Sequence, residues 1–180
     1  MAIDALAGGL VVFEREGLSL VRRVQIGWTP VLLAKPLTYV DRCGEAVKLL
    51  LRAHAGDPAR MVILYDDALL PFGFVRVRSR GIDGNHDGMK SILRELWVRE
   101  IPRIRIGIGL SPTTVVSLKV LREDFTDPER DRLPGIFQGV AAALAVMVEG
   151  KMDKAMSLFN RRDIPLDKLP MLAPEAPAGP

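Results

Sequence analysis

The chain holds one cysteine and two histidines in 180 residues, and its basic residues outnumber its acidic ones by only three. A lone thiol, Cys43, excludes an internal disulfide and fits a reducing compartment. Just after a loop it is a nucleophile on paper, although burial or chance accounts for most single cysteines. A formal charge of +3 permits nucleic-acid binding without requiring it, so what matters is where the basic residues cluster. No apolar run reaches the ~20 residues of a membrane span, and the first residues lack the basic n-region of a secretory leader. The expectation is a protein that works away from membranes, in the cytoplasm or, in a eukaryote, an organellar matrix. A chain of this size fits one domain able to bury roughly 70% of its unfolded surface.

What the sequence does contain is concentrated in residues 81–109. Gly81, Gly84 and Gly88 punctuate a turn that carries Asp83, His86 and Asp87, and glycine suits the positive φ of tight reversals. Met89, Ile92, Leu93, Leu96 and Trp97 then recur at helical spacing, which predicts a buried stripe, with Asp87 placed to cap the first turn. The strand Arg103-Ile104-Arg105-Ile106-Gly107-Ile108-Gly109 follows.

Upstream, residues 1–10 place Ile3, Leu6, Ala7 and Leu10 on one helical face. Residues 18–27 and 31–34 read as two strands joined by a turn at Gly27-Trp28-Thr29-Pro30, the second ending at Lys35-Pro36 because proline cannot continue the ladder. Residues 45–54 predict a helix with Ala46, Val47, Leu49, Leu50 and Ala53 inward. The continuous apolar run 61–65 has the pattern of a central strand covered on both faces, and it delivers Asp66 and Asp67 to its carboxyl end, where ligands gather in open α/β sheets. Residues 74–80 alternate, so Arg76, Arg78 and Arg80 project from one face.

Farther on, residues 110–114 read as a loop and 115–125 as a short helix. Thr126 and Glu129 have capping-box spacing before a helix in which Leu133, Ile136, Phe137, Val140, Leu144, Met147 and Val148 recur. Gly150 interrupts it, and Met152, Ala155, Met156 and Phe159 continue a second helical face. Five prolines between Pro165 and Pro180 mark residues 163–180 as a disordered tail.

Three segments, in order, resemble the bacterial-type peptidyl-tRNA hydrolases. Asn85-His86-Asp87-Gly88-Met89-Lys90-Ser91-Ile92 with residues 103–109 is similar to that family's Gly-His-Asn-Gly-Leu-Lys-Ser-Ile and Arg-Leu-Arg-Ile-Gly-Ile-Gly. Lys35-Pro36-Leu37-Thr38-Tyr39-Val40-Asp41-Arg42-Cys43-Gly44 resembles Lys-Pro-x-Thr-Tyr-Met-Asn-x-Ser-Gly, and residues 65–73 resemble His-Asp-Glu/Asp-Leu-Asp-Leu-Pro-x-Gly. The resemblance covers residues 1–162 and implies a three-layer α/β domain, a mixed twisted sheet with helices on both sides. The family's first strand and its loop have no counterpart in the residues given. Such a gap would leave the sheet open and favour self-association, whereas the family implies a monomer.

The resemblance also implies a chemistry: hydrolysis of the ester between a peptide and tRNA, with no metal and no organic cofactor. The reaction needs a base for water, a carboxylate to orient that base, and donors for the oxyanion. Asp66 matches the family's orienting aspartate; the alternative is that it merely caps a strand-end turn. The histidine that serves as base has no match. His54 ends a surface helix, and His86 matches a site residue that the family does not use as base, so from sequence alone release of tRNA is expected near background. Arg78 and Arg105 match the lysine and arginine that clasp the tRNA 5′ phosphate, with Arg76 and Arg80 flanking them; the alternative is a solvated strand face. Tyr39 could stack on a terminal base or be buried. Asp41 and Asp87 stand where the family has asparagines, and each change removes a donor near a polyanion; the alternative is a turn residue and a helix cap. The partners implied are peptidyl-tRNA and the ribosome. The runner-up function is an RNA- or ribosome-binding protein that has lost catalysis.

Overall fold

In the computed structural model, residues 1–9, 11–109, 124–161 and 165–168 are described. Leu10, the 110–114 loop, most of the 115–125 helix and residues 169–180 of the tail lie outside them.

The chain opens with α1 (Ala2–Leu6) and continues into an antiparallel sheet of β1 (Glu14–Glu16), β2 (Ser19–Ile26) and β3 (Thr29–Pro36), in that order. The β2–β3 hairpin turns at Gly27-Trp28, pairing Ile26 with Thr29, and closes at Ser19 and Pro36. Contrary to the expectation from sequence, Pro36 does not itself stop the ladder: it pairs with Ser19, and Leu37 N–H still donates to Leu18 O at 2.8 Å. The polar strand β1 escaped the sequence reading because Glu14-Arg15-Glu16 has no apolar alternation to betray it. Lys35 joins the hairpin to α1: its ammonium bonds Asp4 and sits 4.0 Å over the Phe13 ring. The Lys35 hydrogen bond, aided by the N-terminal ammonium, pulls the Asp4 carboxyl down to about 2.

A 3-10 turn at Val40–Arg42 leads into α2 (Cys43–Ala53) and then the central sheet. That sheet has β6 (Arg103–Gly107) in the middle, parallel to β4 (Ile63–Asp67) and antiparallel to β5 (Val75–Arg78). The expected mixed sheet is thus this three-stranded one, and β1–β3 form a second, wholly antiparallel sheet. α3 (Asp87–Leu96) and α2 cover one face, where Cys43, Val47, Tyr65, Met89, Ile92 and Ile101 are buried together. α4 (Asp127–Val148) and α5 (Met152–Phe159) cover the other, against Val75, Val77 and Ile104. These are the layers of an α/β fold, with helices on both sides of a sheet. α4 is long and apolar enough to cross a membrane, contrary to the sequence reading, but Leu133, Ile136, Val140, Leu144 and Met147 form its core-facing stripe as predicted. Its capping box forms, with Thr126 N–H donating to the Glu129 carboxylate at 2.8 Å.

Several expectations need correction. In α2 the buried residues are Cys43, Gly44, Ala46 and Val47, and Leu49 is exposed, because α3 crosses near the helix start. The crossing is close: a Cβ on Gly44 would lie 2.3 Å from the Ser91 carbonyl oxygen, and Gly44 N–H donates to Ser91 Oγ at 3.0 Å. Trp97 is not in the core but 90% exposed, since the chain leaves α3 there in a left-handed conformation (φ 55°). Of the turn glycines, Gly81 and Gly84 take a positive φ as expected, whereas Gly88 is helical and gives room to the His86 ring.

Two side chains close the sheet and the chain end. Asn160 answers the edge of β5 with its amide: Oδ1 accepts from Val77 N–H at 2.7 Å and Nδ2 donates to Val77 O at 3.1 Å. Residues 165–168, which composition assigns to the tail, pack against α4. Leu166 is buried, its N–H donates to Gly73 O at 2.8 Å, and Arg132 grips Asp167 with two bonds of 2.9 Å. The Arg132 guanidinium holds the Asp167 carboxyl below its ordinary value. A carboxyl lowered in the fold contributes its stability in full above the unfolded value near ~4 and loses it as pH falls through the native value. The Leu166 amide is therefore expected to lose protection, measured against its intrinsic exchange rate, as pH drops below ~4. Asp167→Asn should cost about 1 kcal/mol at neutral pH and remove that acid dependence, read by hydrogen exchange and urea unfolding.

Candidate active site

The site forms where the carboxyl end of β4 meets the start of α3. Strand β4 runs through Asp67 rather than stopping at Tyr65, because β6 pairs with it from Ile63↔Arg103 to Asp67↔Gly107. Asp66 and Asp67 therefore belong to the strand and point to opposite faces. His86, not Asp87, is the N-cap of α3: Met89 N–H donates to its Nδ1 at 3.3 Å. A lone pair on Nδ1 puts the ring proton on Nε2, which donates to Asp66 Oδ1 at 3.3 Å. The Tyr65 ring packs against the imidazole with centroids 4.8 Å apart. The His86 bond is the chief reason the Asp66 carboxyl titrates below its ordinary value, outweighing its burial.

The sequence thus located Asp66 and His86 but not their contact, which depends on how α3 docks. Asp87 instead shares Lys90 with Asn85: the ammonium lies 3.1 Å from Asp87 Oδ1 and 2.9 Å from Asn85 Oδ1. The carboxylate's charge is therefore partly met locally. The loop before α2 flanks the same helix end, with a Val40 methyl 3.2 Å from where a Gly88 Cβ would be. Within that loop Tyr39 is 83% exposed rather than buried, as stacking requires, and Asp41 is exposed in the 3-10 turn. Burial raises the Cys43 thiol pKa and its Sγ donates to Gly88 O at 3.4 Å, which suits a structural thiol. His54 lies elsewhere, bonded to Glu16 at 2.8 Å rather than simply solvated.

Strand register builds the basic face. Arg76 stands opposite Arg105 and Arg78 opposite Arg103, so four guanidiniums share one face of the β5–β6 ladder. Like charges directly opposite each other disfavour a sheet. Arg80 falls outside β5 and pairs with Glu100 at 3.3 Å. The sequence reading missed the structural role of Arg103: it is 1% exposed and donates to Ile82 O (2.8 Å), Ile101 O (3.0 Å) and Arg99 O (3.4 Å), pinning the glycine turn to the strand. Arg105 is half-buried and contacts Asp67, while Arg78 is exposed, its Nη1 donating to Val77 O at 3.3 Å.

The fold and site define an α/β protein with a carboxylate–imidazole pair beside an arginine-bearing sheet face. The family model for peptidyl-tRNA hydrolase matches residues 1–167. A peptidyl-tRNA hydrolase of Aquifex aeolicus is 35% identical over 167 residues, 91% of this chain and 86% of that protein. One from Chloroflexus aurantiacus is 36% identical over 162 residues, covering 88% of this chain and 86% of its own length. The fold is shared with a crystal structure of an Arg119Gln mutant of the Acinetobacter baumannii peptidyl-tRNA hydrolase, with a TM-score of 0.79 and 22% identity over 88% of this chain and 82% of that one. The chain belongs to the peptidyl-tRNA hydrolase family.

Because His86 caps α3, His86→Ala should destabilise the fold by about 1 kcal/mol, and His86→Asn, which restores a side-chain acceptor, should recover most of it in urea unfolding.

Proposed function

We propose that this chain binds peptidyl-tRNA and hydrolyses the ester that joins the peptide to the tRNA. Family membership supports the reaction, and the observation that carries the site assignment is the Asp66–His86 pair at the carboxyl end of β4. In this reading Asp66 orients an imidazole and stabilises it when it takes a proton from water. The 3.3 Å contact between His86 Nε2 and Asp66 supports His86 in that role. For it to act on water its Nδ1 must release Met89 N–H, a bond worth about 1 kcal/mol. Tyr39, Asp41 and Asp87 flank the pair and face the 3′ end and first peptide bond of the substrate. Arg78 and Arg105 meet the phosphates, which planar guanidinium forks bind well. Such a chain works as a monomer in the cytosol or an organellar matrix, the compartments where translation leaves peptidyl-tRNA.

One observation favours a second reading, an RNA-binding protein without turnover: both nitrogens of His86 are already engaged. Release of tRNA from an N-blocked aminoacyl-tRNA decides between them. The expected result is release above the uncatalysed rate, reduced roughly 100-fold in Asp66→Asn. Release at the uncatalysed rate together with RNA binding would establish the second reading. Binding should weaken with salt, and Arg78→Ala should flatten the slope of log affinity against log salt by roughly 0.7–0.9, the share of one phosphate contact.

A further inference from the structure

The carboxylate beside Asp66 is set apart by its environment. Asp67 is 6% exposed, a burial that an ionised carboxylate tolerates only with partners. Its Oδ1 accepts the Leu69 N–H at 2.9 Å, and its Oδ2 lies 2.6 Å from Arg105 Nη2. That ion contact is off the hydrogen-bonding line, leaving Oδ2 and the buried Nε of Arg105 without hydrogen-bond partners among the described residues. Asp67 therefore ties the turn after β4 to a guanidinium of β6. On its other side Arg105 is confined by the glycine turn, where a Cβ on Gly84 would lie 3.5 Å from Nη2. Directly across the ladder stands Arg76. Arg76 turns to Asn160 O, which accepts from its Nη1 at 3.0 Å, while Arg105 is held between Asp67 and the glycine turn with 26% of its side chain still open to solvent.

We propose that Asp67 is a positioning residue that aims Arg105 at a terminal phosphate of the RNA substrate, an inference that rests on the peptidyl-tRNA reading above. A long arginine side chain left to itself spreads over many rotamers, and fixing it before the ligand arrives raises affinity with no added contact to the ligand. Asp67 touches no reacting atom in this scheme; it acts through Arg105.

The test compares an acceptor-stem RNA hairpin carrying a 5′ phosphate with the same hairpin carrying a 5′ hydroxyl. Binding is measured for the intact chain, for Asp67→Asn, and for Asp67→Ser, whose hydroxyl can still accept the Leu69 N–H. The intact chain is expected to prefer the phosphorylated hairpin about tenfold. Both variants should bind the hydroxyl hairpin as the intact chain does, with the preference reduced to about threefold or less. A full preference in folded variants overturns the role of Asp67 and leaves the RNA reading standing. An intact chain that binds both hairpins equally removes the phosphate contact and this inference with it, and one that binds neither overturns the peptidyl-tRNA reading as well. If neither variant folds, nitrogen NMR of the intact chain decides. An Arg105 guanidinium held by Asp67 rotates slowly and shows separate Nη signals, and averaged signals overturn the proposal.

Discussion

The structure depends on the register between β5 and β6. Pairing Val77 with Ile104 turns the aliphatic side chains toward α4, and the same alternation must then place Arg76, Arg78, Arg103 and Arg105 together on the opposite face. A slip by one residue would bury guanidiniums against Ile136 and Val140, at a cost no surface gain could offset. The core thereby enforces the basic face. Concentrated charge of one sign disfavours the empty protein and favours an anionic ligand, so the energetics of packing and of binding are set by one alignment.

The four arginines nevertheless do different work, and Arg76 reaches out to Asn160 O at 3.0 Å. Arg103 spends its donors on three backbone carbonyls and holds the glycine turn. Arg105 is shared between Asp67 and the space beside Gly84. Arg78 stands at the exposed end, where solvent and ligand can reach it. Residue type alone does not separate these roles; depth in the fold does. The turn pinned by Arg103 carries His86, so the basic strand and the carboxylate–imidazole pair form one mechanical unit.

Much of this was legible in the amino-acid order. The periodicity of 133–148 marked the inward face of α4, and the apolar run before Asp66 marked a central strand. What was hidden had physical reasons. Trp97 fits the helical period, yet the helix stops one residue earlier and throws the indole into solvent. Asp87 is a better capping residue by type than His86, but the imidazole is the side chain placed to accept the Met89 N–H. The β1 strand consists of charged residues at an edge, where pairing needs no apolar face. Residues 165–168 look like tail by composition, and only long-range contacts, the burial of Leu166, its bond to Gly73 and the reach of Arg132 across 35 positions, show that they belong to the body. The Asp66–His86 contact spans 20 residues and three elements, a distance no local pattern encodes.

The Asn160 amide on β5 has a consequence for how the molecule meets its own kind. By standing in for a peptide group at Val77, it blocks the central hydrogen-bonding position on that margin, so a visiting strand would have to evict a side chain before it could dock.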